Sequence, residues 1–125
     1  MIRIPSMTKV KRGSVILVEV VFSSGFGAKL RPALVISTSD YNKNRGEVIV
    51  AAITSNTKQL QAGDTVISEW EKAGLKVPSL ATAILQTVKK DRIQKCLGQI
   101  DELDFVRIEK NIAAVIGFSI TGKAK

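Results

Sequence analysis

The chain predicts a mainly β (β+α) fold: a small curled antiparallel sheet or barrel with one C-terminal helix packed against it. Three observations lead there. Segments rich in Val and Ile, separated by short polar connections with turn chemistry, fill the chain up to Ile100. Apolar residues settle into a sustained spacing of three and four only after Asp101. The 125 residues, 45% hydrophobic and 24% charged, suffice for one domain with a real core.

The elements follow in order. Residues 1–9 are basic and read as a flexible arm, residues 10–118 as a single domain, and residues 119–125 as a flexible tail. Ser14 to Phe22 follows the turn signal Lys11-Arg12-Gly13 and is interrupted only by Glu19, so most of this strand should be buried on both sides. Ser23 to Ala28 is a loop whose two glycines permit close backbone approach to a ligand. Pro32 is expected to begin the next strand, where it withholds no ladder hydrogen bond. Asp40 to Gly46 reads as a polar turn, Glu47 to Ile53 as a strand, and Thr54 to Gly63 as a polar connection.

A short strand is expected over Asp64 to Ile67. Ser68 to Lys72 then predicts one helical turn, with Ser68 as its cap and Gly74 ending it. Ser79 to Val88 and Lys95 to Ile100 complete the strands. Asp101 opens the helix with Asp104 in a capping position, Phe105, Ile108, Ile112, Val115 and Ile116 make its apolar stripe, and Gly117 stops it.

Composition excludes several classes of function. The lone cysteine, Cys96, rules out an internal disulfide framework and a cysteine-rich zinc site, and its apolar setting predicts a packed thiol. There is no histidine, so Ser-His-Asp triads and histidine acid–base catalysis are excluded, and neither metal nor other cofactor is expected. A net charge of +8 points to a polyanionic partner. No apolar run approaches the roughly 18 residues of a membrane span, and the N-terminus does not read as a secretory signal. A cytoplasmic location is the expectation.

Two strands each deliver a polar group at one end. Lys29-Leu30-Arg31-Pro32-Ala33-Leu34-Val35-Ile36-Ser37 places Arg31 at the mouth of one, and Glu47 to Ile53 ends in Thr54-Ser55-Asn56. Arg31 is either a surface arginine flanking a strand or a phosphate-handling cation. Thr54 either caps a strand end or hydrogen-bonds a substrate. Lys89, Lys90 and Arg92, with Lys95 beyond, form a basic edge that is either solvated or in contact with phosphates. Phe26 is a loop anchor or a base-stacking platform, and Trp70 covers the barrel or borders a partner's groove.

The spaced motifs Arg12-Gly13-x-Val15, Leu30 to Ser37, Val50-Ala51-Ala52-Ile53-Thr54-Ser55, Gly74-Leu75-Lys76-Val77-Pro78-Ser79 and Leu97-Gly98-Gln99-Ile100 resemble, in collinear order, the MazF/PemK family of toxins from bacterial toxin–antitoxin pairs. The resemblance implies an SH3-like or CcdB-like antiparallel barrel with a C-terminal helix, a homodimer, and inhibition by a cognate antitoxin, expected to be acidic. It further implies metal-independent cleavage of single-stranded RNA by attack of the RNA's own 2′-hydroxyl. Arg31 and Thr54 then take the catalytic positions. Ser55, Lys29, Gly25, Phe26, Gly27, Thr87, Lys89 and Lys90 become RNA-binding or supporting residues. The sequence assigns no general base.

Departures from the family pattern fall in one strand. Many members carry an acidic residue, a glutamine and a basic residue where this chain has Ala83, Ile84 and Gln86, and the usual acid two positions after Thr87 is Lys89. The resemblance therefore does not set a cleavage sequence. Two other classes stand beside it: a nonenzymatic nucleic-acid-binding barrel, and a CcdB-like toxin acting on a protein such as gyrase. The second relies on a tryptophan near the C-terminus, whereas the only tryptophan here is Trp70.

Overall fold

The computed structural model describes residues 10–21 and 28–119. The proposed arm, most of the tail and the loop holding Gly25, Phe26 and Gly27 lie outside them. Among the described residues, six strands, β1 (Ser14–Val21), β2 (Ala28–Val35), β3 (Glu47–Thr54), β4 (Thr65–Val66), β5 (Leu80–Lys89) and β6 (Ile93–Gln99), form one antiparallel sheet in the order β4-β5-β3-β2-β1-β6. Helix α1 (Ser39–Arg45) joins β2 to β3, and helix α2 (Glu102–Ile116) follows β6.

The sheet has to roll up. Strands β5 and β6 stand four places apart, which on a flat sheet would separate them by about 19 Å. The 3₁₀ turn Lys90–Arg92 is all that connects them, and the four steps from Lys89 to Ile93 span at most about 14 Å. Curling brings the two strands together, yet no ladder joins them. The predicted barrel is thus a curled sheet that does not close.

Strand alternation buries both faces. One cluster sets Val15, Leu34, Ala51, Ile53 and Ala81 against Ile67, Leu75, Ile108 and Ile112. The other joins Val10, Ile16, Val18, Ala33, Val35, Val48, Val50, Val88 and Ile93. Burial of apolar side chains at roughly 1.5–3 kcal/mol each is what holds α2 to the sheet.

Several expectations change. The Asp40–Gly46 turn is helix α1: Thr38 Oγ1 accepts the Tyr41 N–H (3.3 Å), Gly46 closes the helix with φ 66°, and Asn42 is buried, where its carboxamide accepts from the Ser37 hydroxyl. These local caps outweigh the poor helix propensity of the polar run. Asp101 does cap α2, accepting from Leu103 N at 3.1 Å. Asp104, however, turns away to accept from the N–H groups of Ser68 (3.2 Å) and Glu69 (2.9 Å), and pairs with Arg107. It caps the Ser68–Gly74 turn from another element.

Val115 and Ile116 are exposed, because the sheet covers α2 only as far as Ile112 and Ala113. Cys96 is exposed rather than packed, since β6 is an edge strand. Arg12, read in the sequence as a turn residue and a motif position, donates to Ile36 O and Glu109 and lies over the Phe105 ring at 4.7 Å, tying β1 to α2. Its partial burial lowers its pKa from the ordinary arginine value.

Candidate active site

Pro32 lies inside β2, not at its start, and its position decides where a cleft opens. Strands β2 and β3 pair from Val35↔Val50 to Ala33↔Ala52 and stop there. The Ile36 N–H donates to Ile49 O at 2.9 Å, so alternate pairs are the hydrogen-bonded ones and Pro32 with Ile53 would be the next. Proline has no N–H to give. Its nitrogen side faces β3, so pairing with β1 continues through Leu17↔Pro32 and Val18↔Arg31 while β3 separates.

Arg31 and Thr54 each lie two residues past the last β2–β3 pair, on the separated strand ends. The separated strand ends open into a cleft of about 740 Å³, within the usual range of ligand sites. Arg31, Thr54 and Ser55 line it. So do Leu17, Pro32 and Ile53 from the sheet, Gly74 to Val77 from the turn, Ile84 and Gln86 from β5, and Lys95 and Leu97 from β6.

The charge in the cleft has one sign. Arg31, Lys76 and Lys95 are its cations, no Asp or Glu lines it, and none of the three forms an ion pair among the described residues. Thr54 Oγ1 accepts from Asn56 N at 3.1 Å, and no described residue accepts its hydroxyl hydrogen. The cleft therefore presents fixed positive charge and a free hydroxyl donor to an anion. Among the described residues, no group of three or more His, Cys, Asp or Glu is placed to hold a metal ion.

The other predicted residues are distributed unevenly. Lys29 is exposed on β2, two residues from Arg31 and outside the cleft lining. Thr87 pairs with Ile49 and Lys89 with Glu47, five and seven residues along β3 from Thr54. At about 3.3 Å per residue they lie roughly 17 and 23 Å from it. Lys90 is beyond them in the 3₁₀ turn. These three do not join the cleft. Lys76 and Lys95 do, and the sequence offered only partial signals for them: one sat in a spaced motif, the other in a basic edge.

Against this geometry the comparisons are specific. Residues 11–116 match the family model described as PemK-like, MazF-like toxin of type II toxin–antitoxin system. The chain belongs to that family. No curated protein sequence matches it significantly.

Solved structures of the same fold include an endoribonuclease from a mycobacterial species, at 16% identity and TM-score 0.69, covering 94% of this chain and 96% of that one. Another is a MazE–MazF structure from Deinococcus radiodurans, at 17% identity and TM-score 0.71, covering 94% and 100%. A third is Mycobacterium tuberculosis toxin MazF-mt6, at 18% identity and TM-score 0.69, covering 85% and 98%. At these identities the likeness is one of fold. No helix among the described residues is long and apolar enough to cross a membrane.

Proposed function

We propose that this family member is a metal-independent endoribonuclease that cuts single-stranded RNA in the cytoplasm and so arrests growth. The observation that carries the reading is the cleft itself, which Arg31 and Thr54 line together with two further cations and no carboxylate.

These residues supply charge stabilisation, and solvent water accepts and returns the two protons of the reaction. The RNA's 2′-hydroxyl gives up its proton and attacks phosphorus, the bond to the 5′-oxygen breaks, and that oxygen takes up a proton. The products are a 2′,3′-cyclic phosphate and a 5′-hydroxyl. Charge builds on the nonbridging oxygens in the transition state. Arg31 holds them through a bidentate guanidinium, and Thr54 donates its hydroxyl to one of them. Lys76 and Lys95 hold the neighbouring phosphates.

In this reading the chain works as a homodimer, for which the exposed Ile116 and Phe118 at the end of α2 offer apolar area. An acidic antitoxin complements the charge of +8.

Purified protein should cleave single-stranded RNA in EDTA and leave those two kinds of end. Arg31→Ala should lower the rate by about 10²-fold or more with an unchanged circular dichroism spectrum. Undiminished cleavage by Arg31→Ala would overturn the site, and cleavage abolished by EDTA would overturn the chemistry.

A further inference from the structure

A second cavity, of about 400 Å³, adjoins the cleft and shares Thr54 and Ile84 with it. The chemistry of the two is opposite. The cleft holds three cations and no acid. The second cavity holds no cation and one carboxylate, Asp64, whose Oδ2 accepts from Gln61 N at 2.8 Å. Three carboxamides line it: Asn56, Gln59 and Gln61. The side chains of Gln59 and Gln61 make no hydrogen bond among the described residues, and Asn56 uses only its oxygen, accepting from Lys58 N at 3.4 Å.

The apolar part of this cavity is held open by the sheet. Between Ala51↔Leu85 and Ile53↔Ala81, β5 carries three residues against one on β3. Thr82 fills the bulge, donating to Ala52 O at 2.8 Å and accepting from Ile84 N at 3.1 Å. Ile84 is left 64% exposed on the ridge between the two cavities, facing the same pocket as the exposed Val115.

A carboxylate repels phosphate, so an RNA backbone is not the occupant. A nucleobase fits both properties of the cavity. Its faces are apolar and pack on Ile84, and its edge carries donors and acceptors that a carboxamide matches in pairs. Because Thr54 lines both cavities, a phosphate in the cleft puts the adjoining base within reach.

We infer that this amide-lined cavity takes an unstacked nucleobase beside the scissile phosphate and reads its edge, making Asn56, Gln59 and Gln61 the residues that select the cleavage sequence. The inference rests on the endoribonuclease reading.

The test maps all 5′ ends produced from a random-sequence RNA by wild type, by Asn56→Ala, Gln59→Ala and Gln61→Ala, and by the triple variant. Alongside it, binding to an oligonucleotide blocked by a 2′-deoxy sugar at the scissile position is measured. Base preference at one position next to the cut should fall about tenfold or more in at least one single variant and further in the triple variant.

A profile unchanged in the active triple variant overturns the inference and leaves the nuclease intact. So does an unchanged profile accompanied by weaker inhibition by the antitoxin, which would assign the cavity to the antitoxin. Loss of cleavage at every sequence by a folded triple variant also overturns it, because that marks a role in the chemistry. A wild type that neither cleaves nor binds single-stranded RNA overturns the inference together with the function beneath it.

Discussion

Gly98→Ala should damage the cleft without touching any of the residues proposed to handle phosphate. Gly98 on β6 and Gly74 at the end of the Ser68–Gly74 turn face each other backbone to backbone. A Cβ on Gly98 would meet Ala73 O at 2.6 Å, Ala73 C at 2.7 Å and Gly74 N at 3.1 Å. None of these atoms belongs to a side chain that can swing aside. Moving from 2.6 Å to even a tight 3.4 Å contact requires the turn and strand to separate by about 0.8 Å.

That turn continues into Leu75, Lys76 and Val77, the wall of the cleft, and it rests on the buried Ala73 and Leu75. Overpacking of this kind costs about 1–3 kcal/mol, which corresponds to a Tm lower by roughly 5–10 °C for a domain of this size. Misplacing the wall by close to 1 Å should lower cleavage by about 10–100-fold. The assays are urea unfolding and the rate on a short single-stranded RNA, with Gly46→Ala as the control. Gly46 has a positive φ of 66° but nothing within 4 Å of its Cβ, so its cost is torsional strain of about 1–2 kcal/mol with cleavage preserved. A Gly98→Ala protein as stable and active as wild type would refute the reasoning, as would equal loss of activity in Gly46→Ala.

Three further outcomes are expected. Lys76→Gln and Lys95→Gln should each weaken single-stranded RNA binding and reduce the slope of log affinity against log salt by about 0.7, read from titrations between 50 and 200 mM salt; an unchanged slope removes that lysine from phosphate contact. The Lys72 hydrogen bond to Asp101, at 2.8 Å, holds that carboxylate below its ordinary pKa and the ammonium above its own. The Asp101 contribution is therefore present above about pH 3.9 and lost as pH falls through the depressed value. The Lys72 contribution is present below about pH 10.4 and lost as pH rises through the raised one. Lys72→Met should flatten the basic limb and lessen the acid limb, read as urea midpoints against pH, leaving the part that the Leu103 and Asp104 backbone N–H groups hold through Asp101; an acid limb unchanged from wild type would place its origin elsewhere. Pro32→Val should supply the missing N–H and extend the β2–β3 ladder, keeping stability within about 1 kcal/mol while cutting cleavage about tenfold or more. A variant as active as wild type would show that the absent hydrogen bond does not hold the cleft open.

Hydrophobic patterning was enough to read most of the architecture. The strand rich in β-branched residues from Ser14, the Glu47 strand, the Asp101 cap and the Gly117 stop all lie where periodicity and capping chemistry place them. Helix α1 escaped because its stability comes from Thr38, Asn42 and Gly46 acting together with Ser37, a contact no propensity scale contains. Arg31 and Thr54 were legible as polar ends of apolar strands, but that both line one cleft depends on how the strands pair. Lys95 shows the limit most clearly. It lines the cleft because β6 pairs with β1 through Leu17↔Lys95, a partnership 78 residues apart in sequence that only the curl of the sheet creates. Cys96, next to it, misled for the same reason, since an apolar stretch on an edge strand reads like one in the interior.

The departures at Ala83, Ile84 and Gln86 acquire a structural meaning from the same geometry. All three border the cleft or the cavity beside it, and Ile84 borders both. Arg31 and Thr54, the proposed catalytic pair, stand on β2 and β3, whose ends are separated by the lack of one proline N–H. The altered residues stand on β5, at and just after a bulge that Thr82 stabilises by itself. The two strand irregularities are independent: one is caused by a missing donor, the other by two extra residues. Changes on β5 can therefore alter which RNA sequence fits while Arg31 and Thr54 keep their places. A shared reaction with a different target is what such an arrangement permits, and it accounts for a chain that keeps Arg31 and Thr54 where the resemblance expects them while its neighbouring wall departs.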